Sequence, residues 1–175
     1  MRLRPYFPKQ DFDIIKHWIT DPRTHAMWCA NLFAYPLEQD NFESVLQNFS
    51  ERFGDSPFVA TDEQGKMLGF FSYSLNVATN EGKLKFVVID PVYRGKGLGK
   101  EMLMLAVRYA FEMTKACAVL LSVFLENVRA IKCYERVGFR ERHTTENAFR
   151  FQDEYWSRCN MALEREKLTK DAPGE

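Results

Sequence analysis

A β-strand that runs through three glycines into a helix is the feature of this 175-residue sequence that most constrains its fold. The segment covers residues 87–100 and reads Val-Val-Ile-Asp-Pro-Val-Tyr-Arg-Gly-Lys-Gly-Leu-Gly-Lys. Unpaired backbone N–H groups and the helix dipole make a helix N-terminus favourable for an anion, and glycine lets the backbone approach that anion closely. Lys96 and Lys100 add positive charge. The segment therefore predicts a phosphate-binding turn between a strand and a helix.

Spacing separates this turn from two common nucleotide-binding motifs. A P-loop requires G-x-x-x-x-G-K followed by Ser or Thr, but here the glycine spacing is one residue short and Glu101 occupies the hydroxyl position. The dinucleotide motif G-x-G-x-x-G matches Gly95 and Gly97, but its third glycine falls at Lys100, and the strand comes late in the chain. Taken alone, the segment also fits a plain glycine-rich turn.

Hydrophobic periodicity around this turn predicts a mixed domain. Helices are predicted over 11–18, 36–53, 102–113 and 130–137. Strands are predicted over 58–61, 67–75, 83–90, 116–125 and 155–163, with another beginning at Phe139. The predicted order is helices first, then an antiparallel hairpin, a βαβ crossover and a β tail, in one domain over 1–163. Residues 164–175 are predicted to form a loose polar tail.

Composition excludes several classes of protein. Lys plus Arg and Asp plus Glu both number 24, so no chain-wide positive field favours nucleic acid. The apolar stretch 116–125 is about half the ~20 residues that a membrane span requires. The four cysteines form no C-x-x-C pair, which predicts a reduced, cytoplasmic protein. The three histidines lack ligand spacing, so no metal site is expected.

Two motifs in this order resemble the GNAT superfamily of N-acetyltransferases. Residues 94–99, Arg-Gly-Lys-Gly-Leu-Gly, are similar to the pyrophosphate loop [RQ]-x-x-G-x-[GA] of that family. Residues 127–139 are similar to its segment N-x-x-A-x-x-x-Y-x-x-x-G-F. The resemblance covers about residues 58–163. It implies an α/β fold of the α+β type: a mixed, mostly antiparallel sheet with a central βαβ unit, a splayed strand pair and helices on both faces.

The resemblance also implies acetyl-CoA as co-substrate and assigns most of the residues that would bind it. The strand over 86–90 would splay at a bulge, and the pantetheine arm would fill the gap. The Val87 N–H would polarise the thioester carbonyl, and the Ile89 backbone would pair with the pantetheine amides. Asn127 would bond the same arm, or else form only a turn. The complete predicted cofactor set is Val87, Val88, Ile89, Arg94, Gly95, Lys96, Gly97, Leu98, Gly99, Lys100, Asn127, Ala130 and Tyr134.

Catalytic assignments also follow from the resemblance. Tyr134 occupies the general-acid position, from which a phenol donates to the departing sulfur; the alternative is a phenol that only packs in the core. The general base is harder to assign, because Ser122 stands near the place where some relatives have a glutamate. Glu154 and Glu126 are the two candidates. Glu154 ranks slightly ahead, because a carboxylate beside Tyr155 and Trp156 could have a raised pKa.

The predicted activity is direct transfer of an acetyl group to a primary amine through a ternary complex, with no acyl-enzyme. The acceptor is a small molecule, a protein N-terminus or a lysine, and the neutral net charge mildly disfavours a strongly cationic one. No nucleic-acid or membrane partner is expected, and a homodimer is left open. The rival interpretation is a non-catalytic acyl-CoA-binding sensor or scaffold. The predicted acceptor wall comprises Trp28, Phe33, Tyr35, Phe149 and Tyr155.

Overall fold

Seven strands form one sheet in the computed structural model, which describes residues 1–166. The strands are β1 (Arg2–Pro5), β2 (Ser56–Thr61), β3 (Met67–Asn76), β4 (Glu81–Ile89), β5 (Ala118–Phe124), β6 (Arg140–Phe151) and β7 (Glu154–Glu164). Their order in the sheet is β1-β2-β3-β4-β5-β7-β6. Only β4 and β5 are parallel within this described sheet, and all other neighbours are antiparallel. The predicted mixed, mostly antiparallel sheet is therefore confirmed.

Five α-helices cover the two faces of the described sheet. They are α1 (Pro8–Ile15), α2 (Pro22–Cys29), α3 (Gln39–Phe53), α4 (Leu98–Arg108) and α5 (Val128–Val137). A short 3₁₀ helix (Pro91–Tyr93) precedes α4, and a π-helical turn (Tyr109–Met113) follows it. Because β4, α4 and β5 form a parallel crossover, the predicted βαβ unit is confirmed.

The N-terminal part of the chain differs from the prediction. β1 pairs with β2 at the edge of the sheet, so a strand and not a helix comes first. The predicted helix over 11–18 is shifted to Pro8–Ile15. α2 was missed, because Pro22 is a helix-breaking residue in most positions. Here Pro22 occupies the first turn, where its absent N–H costs nothing, and the Asp21 carboxylate accepts from Thr24 N at 2.9 Å.

The C-terminal boundary is also slightly different from the prediction. β7 extends through Glu164, so the proposed tail overlaps the last strand by one residue. Most of the predicted loose tail, residues 167–175, lies outside the described residues.

The splay between β4 and β5 is the part of the fold that creates a site. The two strands pair only from Glu81 with Ala118 to Lys83 with Leu120, and beyond that point they separate. The register between β4 and β3 shifts next to Phe86, whose φ is +54°, because β4 has one more residue there than β3. This extra residue makes a β-bulge, which bends the strand and changes its twist. The predicted bulge and splayed pair are confirmed.

Two apolar cores anchor this geometry. On one face, α4 and α5 pack against the sheet through residues such as Met102, Leu103 and Val137. On the other face, α1 and α3 contribute Phe12 and Phe42 to a cluster that includes Phe86 and Val88 of β4. Each core stabilises one side of the sheet.

Candidate active site

The glycine-rich turn lies at the carboxyl end of β4 and leads directly into α4. Gly95 has φ +79° and Gly97 has φ +83°, so both need the left-handed conformation that glycine adopts without strain. A Cβ built at either position would meet no heavy atom within 4 Å. The turn therefore presents an open backbone surface and the unpaired N–H groups of the first turn of α4.

Positive side chains surround this turn. Lys96 and Lys66 lie over the Tyr93 ring, with their ammonium nitrogens 5.2 and 5.0 Å from its centroid. The Arg94 Nε donates to the Ile89 carbonyl at 3.3 Å, which ties the turn to the end of β4. Burial, and to a smaller extent repulsion from Arg129, lowers the pKa of Arg94. These charges complement a phosphate-bearing ligand.

α5 approaches the same end of the sheet. The Asn127 Oδ1 accepts from Ala130 N at 3.3 Å and caps the helix. The turn-forming alternative for Asn127 is therefore real, although its amide N–H₂ group has no partner among residues 1–166. Ala130 and Cys133 pack against the core, and a Cβ on Gly99 would lie 3.4 Å from the Cys133 sulfur. Small residues thus allow α4 and α5 to approach closely.

Tyr134 lies on the buried side of α5. Its ring meets Phe139 edge-on with centroids 6.2 Å apart, and it belongs to the same core as Leu121. Burial raises the pKa of Tyr134 well above its usual value, so the phenol keeps its proton.

The environment of Glu154 contradicts the raised pKa that the sequence predicts. Arg23 binds its carboxylate through two hydrogen bonds of 2.7 and 2.9 Å, and the Trp156 Nε1 donates to it at 2.8 Å. These interactions lower the pKa of Glu154 to about 2, so the expected raised pKa is wrong. A carboxylate whose oxygens are already engaged and whose pKa is so low is a poor base. Glu154 instead joins α2 to β7.

Glu126 has a different environment. The last residue of β5 is Phe124, so the strand ends before Glu126 and Asn127, and the two side chains are not forced to opposite faces. The Glu126 Oε2 is buried and has no hydrogen-bond partner among the described residues. Arg23 is close enough to attract it electrostatically. Of the two candidate carboxylates, Glu126 is therefore the one with an unengaged oxygen, whereas both oxygens of Glu154 are hydrogen-bonded.

A pocket of about 210 Å³ opens beside the splay, on the face covered by α2 and α3. Phe86 of β4 and Phe124 of β5 flank it, and Ser122 lies between them and donates to Asn160 Oδ1 at 2.8 Å. Trp28 and Phe49 supply much of its apolar wall. Because the pocket meets the gap on the side opposite α4 and α5, a second substrate could enter there.

Only part of the predicted acceptor wall lines this pocket. Trp28 lines the pocket, but it does so from α2 and not from a loop. Phe33 is in the core behind Trp28, with ring centroids 5.2 Å apart. The other three predicted wall residues, Tyr35, Phe149 and Tyr155, do not line this pocket.

Prediction from the sequence missed the cations of the pocket. Lys83, Lys85 and Arg158 all line it. The alternation of Lys83 and Lys85 around buried Leu84 was a usable signal, since it places both lysines on one face of β4. Partial burial, together with repulsion from Lys85 and Arg158, lowers the pKa of Lys83.

Neither thiol near the site is activated. Burial raises the pKa of Cys29 to about 11, although its sulfur lies 3.3 Å from the His25 Nε2. Burial also raises the pKa of Cys133. Both side chains are therefore thiols at neutral pH, and a thiol is a much weaker nucleophile than a thiolate.

Two further features complete the description of residues 1–166. No group of three or more His, Cys, Asp or Glu side chains in this range is arranged to hold a metal ion. No helix among these residues combines the length and apolar character needed to cross a bilayer.

A seven-stranded sheet with a splayed parallel pair and a glycine-rich turn at a helix N-terminus defines the acetyltransferase class of folds. Residues 10–139 match the family model described as the acetyltransferase (GNAT) family. Because this match covers most of the chain, the protein belongs to the GNAT family.

Relatives of this chain include polyamine acetyltransferases. It is 36% identical over 83 residues to the spermine/spermidine N(1)-acetyltransferase of Bacillus subtilis. The aligned segment covers 44% of this chain and 55% of that protein. The match thus spans about half the length of that relative. It is 26% identical over 133 residues to the spermidine N(1)-acetyltransferase of Vibrio cholerae, covering 70% of this chain and 76% of that one.

Solved structures show the same fold. The spermidine N-acetyltransferase from Vibrio cholerae, determined with CoA and spermine, superposes with a TM-score of 0.81 at 22% identity. The superposition covers 96% of this chain and 97% of the other.

Proposed function

We propose that this protein is an N-acetyltransferase that transfers the acetyl group of acetyl-CoA directly to a primary amine. The observation that carries this proposal is the junction of two features at one place: the bulged, splayed end of β4 and the open glycine turn at the start of α4. The splayed end of β4 suits an extended arm that contains amides, and the glycine turn suits a pyrophosphate. In acetyl-CoA the amide-containing pantetheine arm is followed by the pyrophosphate.

The main chain would make most of the contacts to the cofactor. Beyond Lys83, β4 has lost β5 as its hydrogen-bonding neighbour, so alternate backbone groups on that side are unpaired. We propose that Val87, Val88 and Ile89 use these groups to hold the pantetheine arm, and that Val87 N–H polarises the thioester carbonyl. The N–H groups over 95–100 would hold the pyrophosphate. The unpartnered Asn127 amide supports its role beside the arm.

We assign the hydrogen bond to the departing sulfur to Tyr134. A thiol has a pKa of about 8.5, far below that of a buried phenol, so complete proton transfer from Tyr134 to a thiolate is strongly uphill. The phenol would therefore act by donating a hydrogen bond to the developing thiolate without losing its proton.

We assign proton removal from the acceptor to Glu126. An alkylammonium with a pKa of about 10 must lose a proton before its nitrogen can attack the thioester. The Glu126 carboxylate follows Phe124, which flanks the pocket, and its Oε2 is unengaged among the described residues. Glu154 does not offer such an oxygen.

Direct transfer is favoured over an acyl-enzyme. The two cysteines nearest the site are Cys29, which lines the pocket, and Cys133, which packs beside Gly99. Both have raised pKa values because of burial. All four cysteines of the chain are free, which supports a reducing compartment such as the cytoplasm as the place where the protein acts.

The experiment that tests this function is a release assay for free CoA with a panel of primary amines, combined with calorimetry of acetyl-CoA binding. Amine-dependent CoA release, with the acetylated amine identified by mass, is the expected result. The competing function is a non-catalytic acyl-CoA-binding module, and the absence of carboxylates from the described lining of the pocket is the observation that favours it. Tight cofactor binding without turnover of any amine would establish that alternative.

A further inference from the structure

The pocket beside the splay is lined by cations and by no anion. Lys83 and Lys85 enter it from β4 and Arg158 from β7, whereas no Asp or Glu of residues 1–166 is part of its wall. The whole chain has a formal net charge of zero, so this concentration of positive charge is local. The sheet produces it by placing β7 beside β5, opposite β4.

One of these cations is already neutralised. Lys85 Nζ forms an ion pair with the buried Asp55 carboxylate and also donates to Ser74 Oγ at 3.0 Å. The side chains of Lys83 and Arg158 form no ion pair or hydrogen bond among residues 1–166, in contrast to Lys85. Both side chains are exposed to solvent at the pocket. Partial burial of the Lys83 ammonium, and then repulsion from Lys85 and Arg158, lowers the pKa of Lys83. Neither side chain forms a direct ion pair, although Asp55, which pairs with Lys85, also attracts Lys83.

One further polar group of the wall is a donor without an acceptor. The Trp28 Nε1 is buried and has no acceptor among the described residues. A buried donor without a partner costs roughly 1–3 kcal/mol, so native proteins rarely leave one unpaired unless a water or ligand completes it. This observation is independent of the lysine and arginine, and it indicates the same kind of ligand, one that accepts hydrogen bonds.

We infer that the acceptor amine carries an anionic group, a carboxylate or a phosphate, which Lys83 and Arg158 bind while the amine faces the splay. This inference rests on the proposed acetyltransferase function and names its substrate class. The pocket volume of about 210 Å³ is below the ~300–1,000 Å³ typical of sites for drug-sized ligands, so the bound part is small. Trp28 and Phe49 would contact its apolar portion. A polyamine, which is a multiple cation at neutral pH, would be repelled by the same two side chains.

Matched pairs of amines test this inference, since the members of each pair differ only in the anionic group. The pairs are L-phenylalanine with L-phenylalaninamide and O-phosphoethanolamine with ethanolamine, and spermidine is the cationic comparison. We expect the anionic member of at least one pair to have a kcat/KM at least about 10-fold higher than its neutral partner. The preference should shrink as salt rises, because both cations are exposed.

Substitutions of the two cations test whether the preference for anionic amines arises in the pocket. Lys83→Met and Arg158→Met should each reduce the anionic preference about 10-fold through KM, with little change for the neutral amine. Lys9→Met is the matched control, because it removes one positive charge from the exposed surface of α1. It should leave the preference unchanged. Calorimetry of CoA with every variant checks that the cofactor site is intact.

The possible outcomes distinguish failure of the anionic-acceptor inference from failure of the proposed acetyltransferase function. Equal or better turnover of the neutral member in both pairs, or better turnover of spermidine than of either anionic amine, would overturn the anionic acceptor and leave the acetyltransferase function standing. If no amine is acetylated, the proposed function fails, and equilibrium binding of the same pairs then decides the inference. Equal affinity for both members of each pair, or a preference that persists in Lys83→Met and Arg158→Met, would overturn it.

Discussion

Gly97→Val is the change that most directly tests the phosphate-binding turn. Gly97 has φ +83° and ψ −9°, a left-handed conformation that costs an L-residue roughly 1–2 kcal/mol and suits a β-branched residue least. A Cβ at this position would meet no atom of the protein within 4 Å. The cost in the free protein is therefore backbone strain without a clash. At 175 residues, this corresponds to a fall in Tm of about 2–8 °C.

The effect on acetyl-CoA should be larger than the effect on folding. The valine side chain would occupy the open space in front of the turn, and relief of strain would rotate the N–H groups away from the pyrophosphate. Hydrogen bonds to charged groups contribute about 1.5–3 kcal/mol each, so the loss of one or two corresponds to a Kd roughly 100-fold higher. Isothermal titration calorimetry with CoA measures this change.

Gly65→Val is the matched control for Gly97→Val. Gly65 has φ +86° in the turn between β2 and β3, and a Cβ there also meets nothing within 4 Å. The two variants should lose similar stability, but only Gly97→Val should lose affinity. Gly97→Asn separates the two causes, since asparagine tolerates the left-handed conformation but still places a side chain in front of the turn. A folded Gly97→Val protein with wild-type affinity for CoA would refute the assignment of the turn.

The remaining predictions concern the reaction and the fold. Tyr134→Phe should lower kcat by roughly 10- to 1000-fold while CoA affinity and Tm barely change; a wild-type rate in a chemistry-limited assay would make Tyr134 a core residue only. Glu126→Gln should remove the acidic limb of the kcat/KM–pH profile together with most of the rate, and an unchanged profile would exclude Glu126 as the base. Glu154→Gln should keep that profile but reduce stability at pH 7. Because the pKa of Glu154 is lowered from 4.5 to about 2, the stabilising contribution is full above pH 4.5 and is lost as the pH falls towards 2, where denaturation curves of variant and wild type should converge. Gly69→Ala should destabilise the protein by about 1–3 kcal/mol in urea unfolding, because its Cβ would lie 2.9 Å from the Val88 carbonyl oxygen and closer still to Met102 and Ile89; an unchanged midpoint would show that the sheet can move there.

Local patterns predicted most of the part of the fold that contains β4, α4 and β5. The strand before the glycines, the helix after them and the buried strand over 116–125 were predictable, because each is a continuous segment whose periodicity or glycine spacing reflects its own conformation. β1 and α2 were not predictable in this way. β1 is only four residues long, and α2 begins at a proline that also fits the end of the preceding helix.

The two candidate carboxylates show where prediction from sequence fails. The apolar neighbours of Glu154 in the chain suggested a raised pKa, but its partner Arg23 is 131 residues away. Charge–charge interactions depend on distance in space, and an ion pair outweighed the local apolar environment. Glu126 became the better candidate only when the end of β5 and the unpaired Oε2 were known.

The amino-acid sequence by itself determined the glycine-rich turn and the order of the βαβ unit, because backbone conformation there depends on residues that are adjacent in the chain. The tertiary structure alone decided which side chains share the pocket. Lys83 and Arg158 are 75 positions apart, and they meet because β7 inserts between β5 and β6 while β4 separates from β5. That arrangement depends on which strands pair across the whole sheet, and long-range pairing is set by the packing of both cores and not by any local segment.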